Sequence, residues 1–145
     1  MEQKGNNSAE KGCELGTRFD ARRSDAPAAL AHAGAALRAA GATPATVARV
    51  ELILEELFLN SVLHGYRGDS ASPVWIAVRA DGFCYVDEAP PFNPLEDGPA
   101  GVAPDPALTI EDQPVGGAGL LLIRQLARQA SYCRQDGRNC LIITV

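Results

Sequence analysis

Three short stretches carry residue types that could do chemistry together. Glu56 and Asn60 lie one helical turn apart in ELILEELFLNSVLHGY, residues 51–66. At about 100° per residue they fall on one side of a helix beside Leu52, Ile53 and Leu63, whereas Glu51 and Glu55 fall on a side expected to face solvent. A carboxylate and a carboxamide among large aliphatics are costly to bury unless they are bonded to something. A carboxamide oxygen is a ligand that Mg²⁺ accepts. A carboxylate partly buried against Leu52 and Ile53 has its pKa raised toward the range useful to a general base. The second stretch is Asp87-Glu88-Ala89-Pro90-Pro91-Phe92-Asn93-Pro94, which follows an apolar segment and places an acceptor carboxylate at its end. The third is Gly116-Gly117-Ala118-Gly119, directly before a leucine-rich run, where side-chain-free N–H groups at a helix start suit a phosphate. Each stretch also has a plain structural counterpart: a Glu–Asn pair bracing a loop, an Asp opening a turn, and a simple Gly-rich loop.

Local sequence signals place these stretches on helices, strands and turns. Residues 13–21 (CELGTRFDA) suit a short strand with Leu15, Thr17 and Phe19 on one face. An Ala-rich helix is expected over 25–40, with Ser24 or Asp25 as N-cap, Pro27 in the first turn and Gly41 at the stop. Thr43-Pro44 starts the helix that carries Glu56 and Asn60 and is expected to run to Gly65. Strands are expected over 73–80 and 83–87, joined by a turn at Asp81-Gly82. Residues 88–114 hold seven prolines and suit neither helix nor strand, so they read as a lid or binding loop. A helix over 120–130 and strands over 131–135 and 140–145, with a turn at Asp136-Gly137, complete the chain. Hairpins at both ends predict an α+β fold: a mixed, mostly antiparallel sheet with helices on one face.

Composition narrows the classes. The chain has 145 residues, 46% hydrophobic and 21% charged, which bounds it to one globular domain, expected over 13–145 behind a disordered leader, residues 1–12. A net charge of −5 with no basic run argues against a nucleic-acid partner. Cys13, Cys84, Cys133 and Cys140 have no metal-ligand or CxxC spacing, so neither a zinc site nor a disulfide scaffold is expected. His32 stands alone in the Ala-rich helix and reads as a surface or core histidine rather than a ligand. With no signal peptide and no apolar run of membrane-spanning length, the expected location is the cytoplasm, with reduced thiols.

With these stretches in this order, the sequence from about Phe19 to Val145 resembles the GHKL ATP-binding superfamily. Within it, the chain is similar to the anti-sigma-factor serine kinases of bacterial partner-switching systems, and its closing segment SYCRQDGRNCLIITV is similar to that family's end. The resemblance implies a two-layer α/β sandwich of the Bergerat type with an ATP lid, and ATP and Mg²⁺ as cofactors. It gives Asn60 the Mg²⁺-ligand role and Glu56 the role of general base toward a serine hydroxyl. Asp87 would accept the exocyclic amine of adenine, and Ala89, Phe92, Gly116, Gly117, Ala118, Gly119 and Leu120 would line the nucleotide with Asn60. Ala89 stands where the family usually has Gly, and residues 95–115 contain no Lys or Arg. Phosphate charge would then be met by Mg²⁺, the helix terminus, or Arg67 or Arg124, with His64 at the pocket edge or favoured at the helix C-terminus. The implied partners are a STAS-domain anti-anti-sigma protein, a sigma factor, and a second copy in a homodimer. The alternative is a module that binds nucleotide weakly and acts by sequestering a partner. The catalytic domain of a histidine kinase fits less well, because His32 sits in a single short helix rather than a dimerisation pair.

Overall fold

The computed structural model describes residues 13–96 and 117–145, with backbone alone for 117–120. The expected leader, most of the expected lid and Gly116 lie outside the described residues. Strand β1 (Thr17–Asp20) is followed by a 3-10 turn (Arg23–Asp25) and helix α1 (Ala26–Ala39). Gly41 ends α1 in the left-handed region, at φ 87°, with Gly41 N–H and Ala42 N–H returning to Arg38 and Leu37 carbonyls. Helix α2 (Pro44–Asn60) starts as its sequence dictates: Thr43 Oγ1 accepts from Thr46 N–H at 3.2 Å and Pro44 fills the first turn.

The helical path runs on to Gly65 as expected, but its last turn is not α. After Asn60 the chain widens into a π-turn (Ser61–Gly65), with Tyr66 N–H bonded to Ser61 O at 2.7 Å. Such turns change which side chains share a face, so a 3.6-residue wheel does not carry past Asn60. Leu63, placed beside Glu56 by the wheel, is 41% exposed, and Leu52 is 50% exposed. Ile53 is buried as expected.

The remaining elements are β2 (Pro73–Arg79), β3 (Gly82–Asp87), α3 (Gly117–Leu126), β4 (Gln129–Gln135) and β5 (Arg138–Thr144). Helix α3 thus begins three residues before the expected Leu120 and ends at Leu126 rather than Ala130, because Gln129 and Ala130 pair with Thr144 and Ile143. The sheet order is β1-β2-β3-β5-β4 and every pairing is antiparallel, so the expected mixed sheet is corrected to a fully antiparallel one among the described residues. Gly82 is already paired with Thr144; the loop before it is Ala80-Asp81. Its glycine is needed for close approach, since a Cβ there would collide with the Ile143 carbonyl. The β4–β5 turn is as expected, with Asp136 (φ 56°) and Gly137 (φ 75°) both left-handed.

Helices α1 and α2 pack on one face of the sheet. Leu37, Val50, Ile53, Leu54 and Phe58 meet Phe83, Tyr85, Leu141 and Ile143, and Ile123 of α3 joins the same core. The expected two-layer α+β arrangement is therefore the one observed. Its core fixes which face of β3 looks at α2: Phe83, Tyr85 and, by alternation, Asp87.

Candidate functional site

The site grows from the junction between the end of α2 and the end of β3. Ser61, the residue after Asn60, is buried, and its hydroxyl lies 2.6 Å from Asp87 Oδ2. An ionised carboxylate only accepts, so the Ser61 proton goes to Asp87. Tyr85 O–H then donates to Ser61 Oγ, 2.7 Å away, with Leu57 O as a second acceptor at 3.0 Å. This chain of hydrogen bonds joins the two elements that carry the predicted Asn60 and Asp87. Tyr85 is buried, and burial together with the neighbouring Asp87 charge holds its phenol well above the usual range.

Asp87 is 7% exposed and accepts two further bonds at Oδ1, from Asn139 Nδ2 at 2.9 Å and from Ala89 N–H at 3.2 Å. Asn139, directly opposite Asp87 on β5, organises the whole segment that follows β3. Its amide nitrogen also donates to Ala89 O at 3.2 Å and Pro90 O at 3.1 Å. Its oxygen accepts from Phe92 N–H at 3.1 Å and Tyr132 O–H at 2.6 Å. Only this orientation of the amide satisfies all of these neighbours. Arg134 donates to Ala89 O at 2.8 Å, and Tyr66 O–H accepts from Glu88 N–H at 2.6 Å while donating to Pro73 O at 2.7 Å. Burial raises the Tyr66 phenol to about 12, so it remains a donor throughout the physiological range.

Ala89 is buried, and its backbone is not in the left-handed region. A Cβ built on Gly65 would lie 2.8 Å from the Ala89 methyl, so that methyl occupies the space left by the missing side chain of Gly65. The departure at position 89 is thus accommodated from the α2 side. Phe92 is 42% exposed beyond this clamped segment.

Glu56 is half-buried, and burial is the chief cause of a pKa raised above the ordinary carboxylate value. The neighbouring Glu55 adds to the rise and His64 opposes it. Asn60 is also half-buried. Neither side chain has a hydrogen-bond partner among the described residues. His64 and Arg67 are exposed at the end of the π-turn, and Arg124 is exposed in the last turn of α3. His32 packs edge-on against Phe19, with ring centroids 5.7 Å apart, and takes no part in the site.

The structure therefore brings Asn60, Asp87 and Ala89 to one corner through Ser61, Gly65 and Asn139, with Glu56 one turn back along α2. Gly117, Ala118, Gly119 and Leu120 form the first turn of α3, which packs on α2. Gly116 lies outside the described residues. Ser61, Tyr66, Tyr85, Arg134 and Asn139 carry no signal that marks them for the site in sequence reading. Alternation along β3 puts Tyr85 on the same face as Asp87, but nothing local links Asn139 to a residue 52 positions earlier.

These groups fit a nucleotide. Of the roughly four acceptor positions of the Asp87 carboxylate, described residues fill three, which leaves one on Oδ2 for an amine donor. Asn60, without a hydrogen-bond partner among the described residues, offers its carboxamide, and the start of α3 offers backbone N–H groups. Among the described residues no three His, Cys, Asp or Glu side chains gather to hold a metal. One neutral oxygen suits Mg²⁺ only when phosphate and water complete its shell. Among the described residues, no helix is long and apolar enough to cross a membrane. The chain has no match among curated proteins. The model of the histidine kinase-like ATPase domain matches residues 19–145, and the chain belongs to this ATP-binding family of the GHKL superfamily.

Proposed function

We propose that this chain is an ATP- and Mg²⁺-dependent protein serine kinase that acts as an anti-sigma factor, phosphorylating a serine of a STAS-domain antagonist. The observation that carries the reading is Glu56: a half-buried carboxylate of raised pKa, without a hydrogen-bond partner among the described residues, one turn from Asn60. A carboxylate in this state, beside the site, is suited to take a proton from a hydroxyl. Bound ATP with Mg²⁺ would supply the γ-phosphoryl group and the means to neutralise its charge.

The chain's own residues do the rest. Asp87, fixed by Ser61, Asn139 and Ala89 N–H, accepts the adenine amine at its open Oδ2 position. The first turn of α3 presents N–H groups to the phosphates, and Asn60 holds the metal. Glu56 Oε takes the proton of the acceptor serine hydroxyl, and its raised pKa strengthens it as a base. The partners proposed are the antagonist, a sigma factor held by the same domain, and a second copy of the chain, in the cytoplasm. The test is incubation with labelled ATP, Mg²⁺ and a STAS-domain antagonist. Transfer to serine that is lost in Glu56→Gln supports the reading. ATP binding without transfer would favour a module that acts by sequestration.

A further inference from the structure

The face of the sheet away from the helices has its own cluster, which plays no part in the nucleotide site. Cys84 and Val86 of β3 and Cys140 of β5 point there by alternation, yet all three are buried. The segment before β1 covers Cys84 and Cys140. A Cβ on Gly16 would collide with the Ile76 carbonyl and Ala77 Cα of β2. The N–H of Glu14 meets the sulfur of Cys84 in β3. The thiol of Cys13 reaches Leu141 O of β5 at 3.1 Å. Residues 16, 14 and 13 therefore touch β2, β3 and β5 in turn, the order of those strands in the sheet, and form a strap across it.

We propose that Cys13 and Cys84 are an oxidation site, at which a hydroperoxide converts two thiols into an intramolecular disulfide that fastens the strap to β3. The two thiols lie side by side, with the single Cys13 S–H proton shared between Leu141 O and the Cys84 sulfur. The Cys13 hydrogen bond, Arg79 and the Glu14 N–H together favour negative charge at Cys84, bringing it down to about 7, whereas Cys13 is pushed up. Cys13 is partly exposed, whereas Cys84 is buried beneath it, so a small oxidant meets Cys84 when the strap lifts from the sheet. The Cys84 thiolate attacks the O–O bond. An S–O bond forms, the O–O bond breaks, and the departing alkoxide takes a proton to leave as alcohol. The Cys13 sulfur then attacks the Cys84 sulfur, forming S–S and expelling hydroxide, which leaves as water with the Cys13 proton. Two electrons pass from sulfur to oxygen, and the balance is two thiols and one hydroperoxide to disulfide, alcohol and water. Cys133 and Cys140 face each other on β4 and β5, but burial and the neighbouring Cys133 push Cys140 up to about 11, so this second pair is the slower to react.

The test is treatment of the full chain with hydrogen peroxide (for which the alcohol product is water), alkylation of remaining thiols, digestion without reduction, and mass spectrometry. The expected product is a linked peptide pair containing Cys13 and Cys84, formed about tenfold faster at pH 8 than at pH 6 as Cys84 ionises around 7. Cys13→Ser abolishes the link and leaves Cys84 as a sulfenic acid trapped by dimedone. Cys140→Ser leaves the link intact. Alkylation of both Cys13 and Cys84 after oxidation, a link between Cys133 and Cys140 formed in preference, or only interchain disulfides would each overturn the proposal. The cluster lies on the face opposite Asp87, so the outcome is independent of the kinase reading.

Discussion

Adding one methyl at Gly65 tests how the adenine corner is built. Gly65 does not have a left-handed backbone, so Gly65→Ala brings no φ strain of its own. Its Cβ would stand 2.8 Å from the Ala89 methyl, closer than side-chain carbons approach. Overpacking of this kind costs about 1–3 kcal/mol, reduced by about 0.4–1 kcal/mol from the stiffer unfolded chain. Relief by moving residue 89 would displace the N–H that Asp87 accepts. Ala89→Gly alone removes a buried methyl and adds backbone freedom, together about 1–2 kcal/mol. In the double variant the methyl added at position 65 fills the vacated space. It also restores the chain stiffness lost at position 89, so the double variant is close to wild type in stability and less destabilised than Ala89→Gly alone, with a coupling of about 1 kcal/mol or more. Urea unfolding of the four proteins measures the cycle, and calorimetric ATP affinity should fall for Gly65→Ala and recover in the double variant. Costs that add to within about 0.5 kcal/mol would refute the packing argument.

Asn139→Ala strips a partner from Asp87, Phe92 N–H and Tyr132 and should cost about 1–3 kcal/mol in urea unfolding, with weaker ATP binding by calorimetry. Asn139→Asp should cost more, because it turns an acceptor toward Asp87 and two carbonyls; equal costs would argue against the hydrogen-bond account. Ser61→Ala should be milder for the fold, since Tyr85 keeps Leu57 O, but should weaken ATP binding by loosening Asp87. Glu56 has a folded pKa raised above its ordinary 4.5, so its contribution to stability is present below 4.5 and is lost as pH rises through the folded value. Glu56→Gln should therefore be more stable than wild type near neutral pH, with the advantage disappearing below about pH 4.5 in pH-dependent thermal unfolding.

Much of the fold is written locally. Thr43-Pro44 opens α2, Gly41 closes α1 and Asp136-Gly137 turns the last hairpin, each because one residue type meets a backbone demand within a few positions. The π-turn after Asn60 has no such mark. Its Leu, Val and Ser residues suit an ordinary helix, and it forms where Ser61, Tyr66 and Gly65 reach tertiary partners. Gly82 reads as a turn residue in sequence, but its role is close approach to Ile143. Asn60 and Asp87 stand out because polar groups in apolar surroundings demand partners. Asn139 sits in an equally apolar strand, but its role depends on the register between β3 and β5. That register is set by packing across the sheet and cannot be counted from either turn. The antiparallel β3–β5 pairing is hidden from the sequence for the same reason.

We propose that Glu56 is the base for phosphoryl transfer to a protein serine. The direct measurement is phosphoserine formation on a STAS-domain antagonist with ATP and Mg²⁺, by wild type and by Glu56→Gln, with ATP affinity measured for both. Wild type is expected to transfer, Glu56→Gln to lose transfer by at least about two orders of magnitude, and the two proteins to bind ATP with similar affinity. Equal transfer by both proteins, or ATP binding with no transfer by wild type, would contradict it.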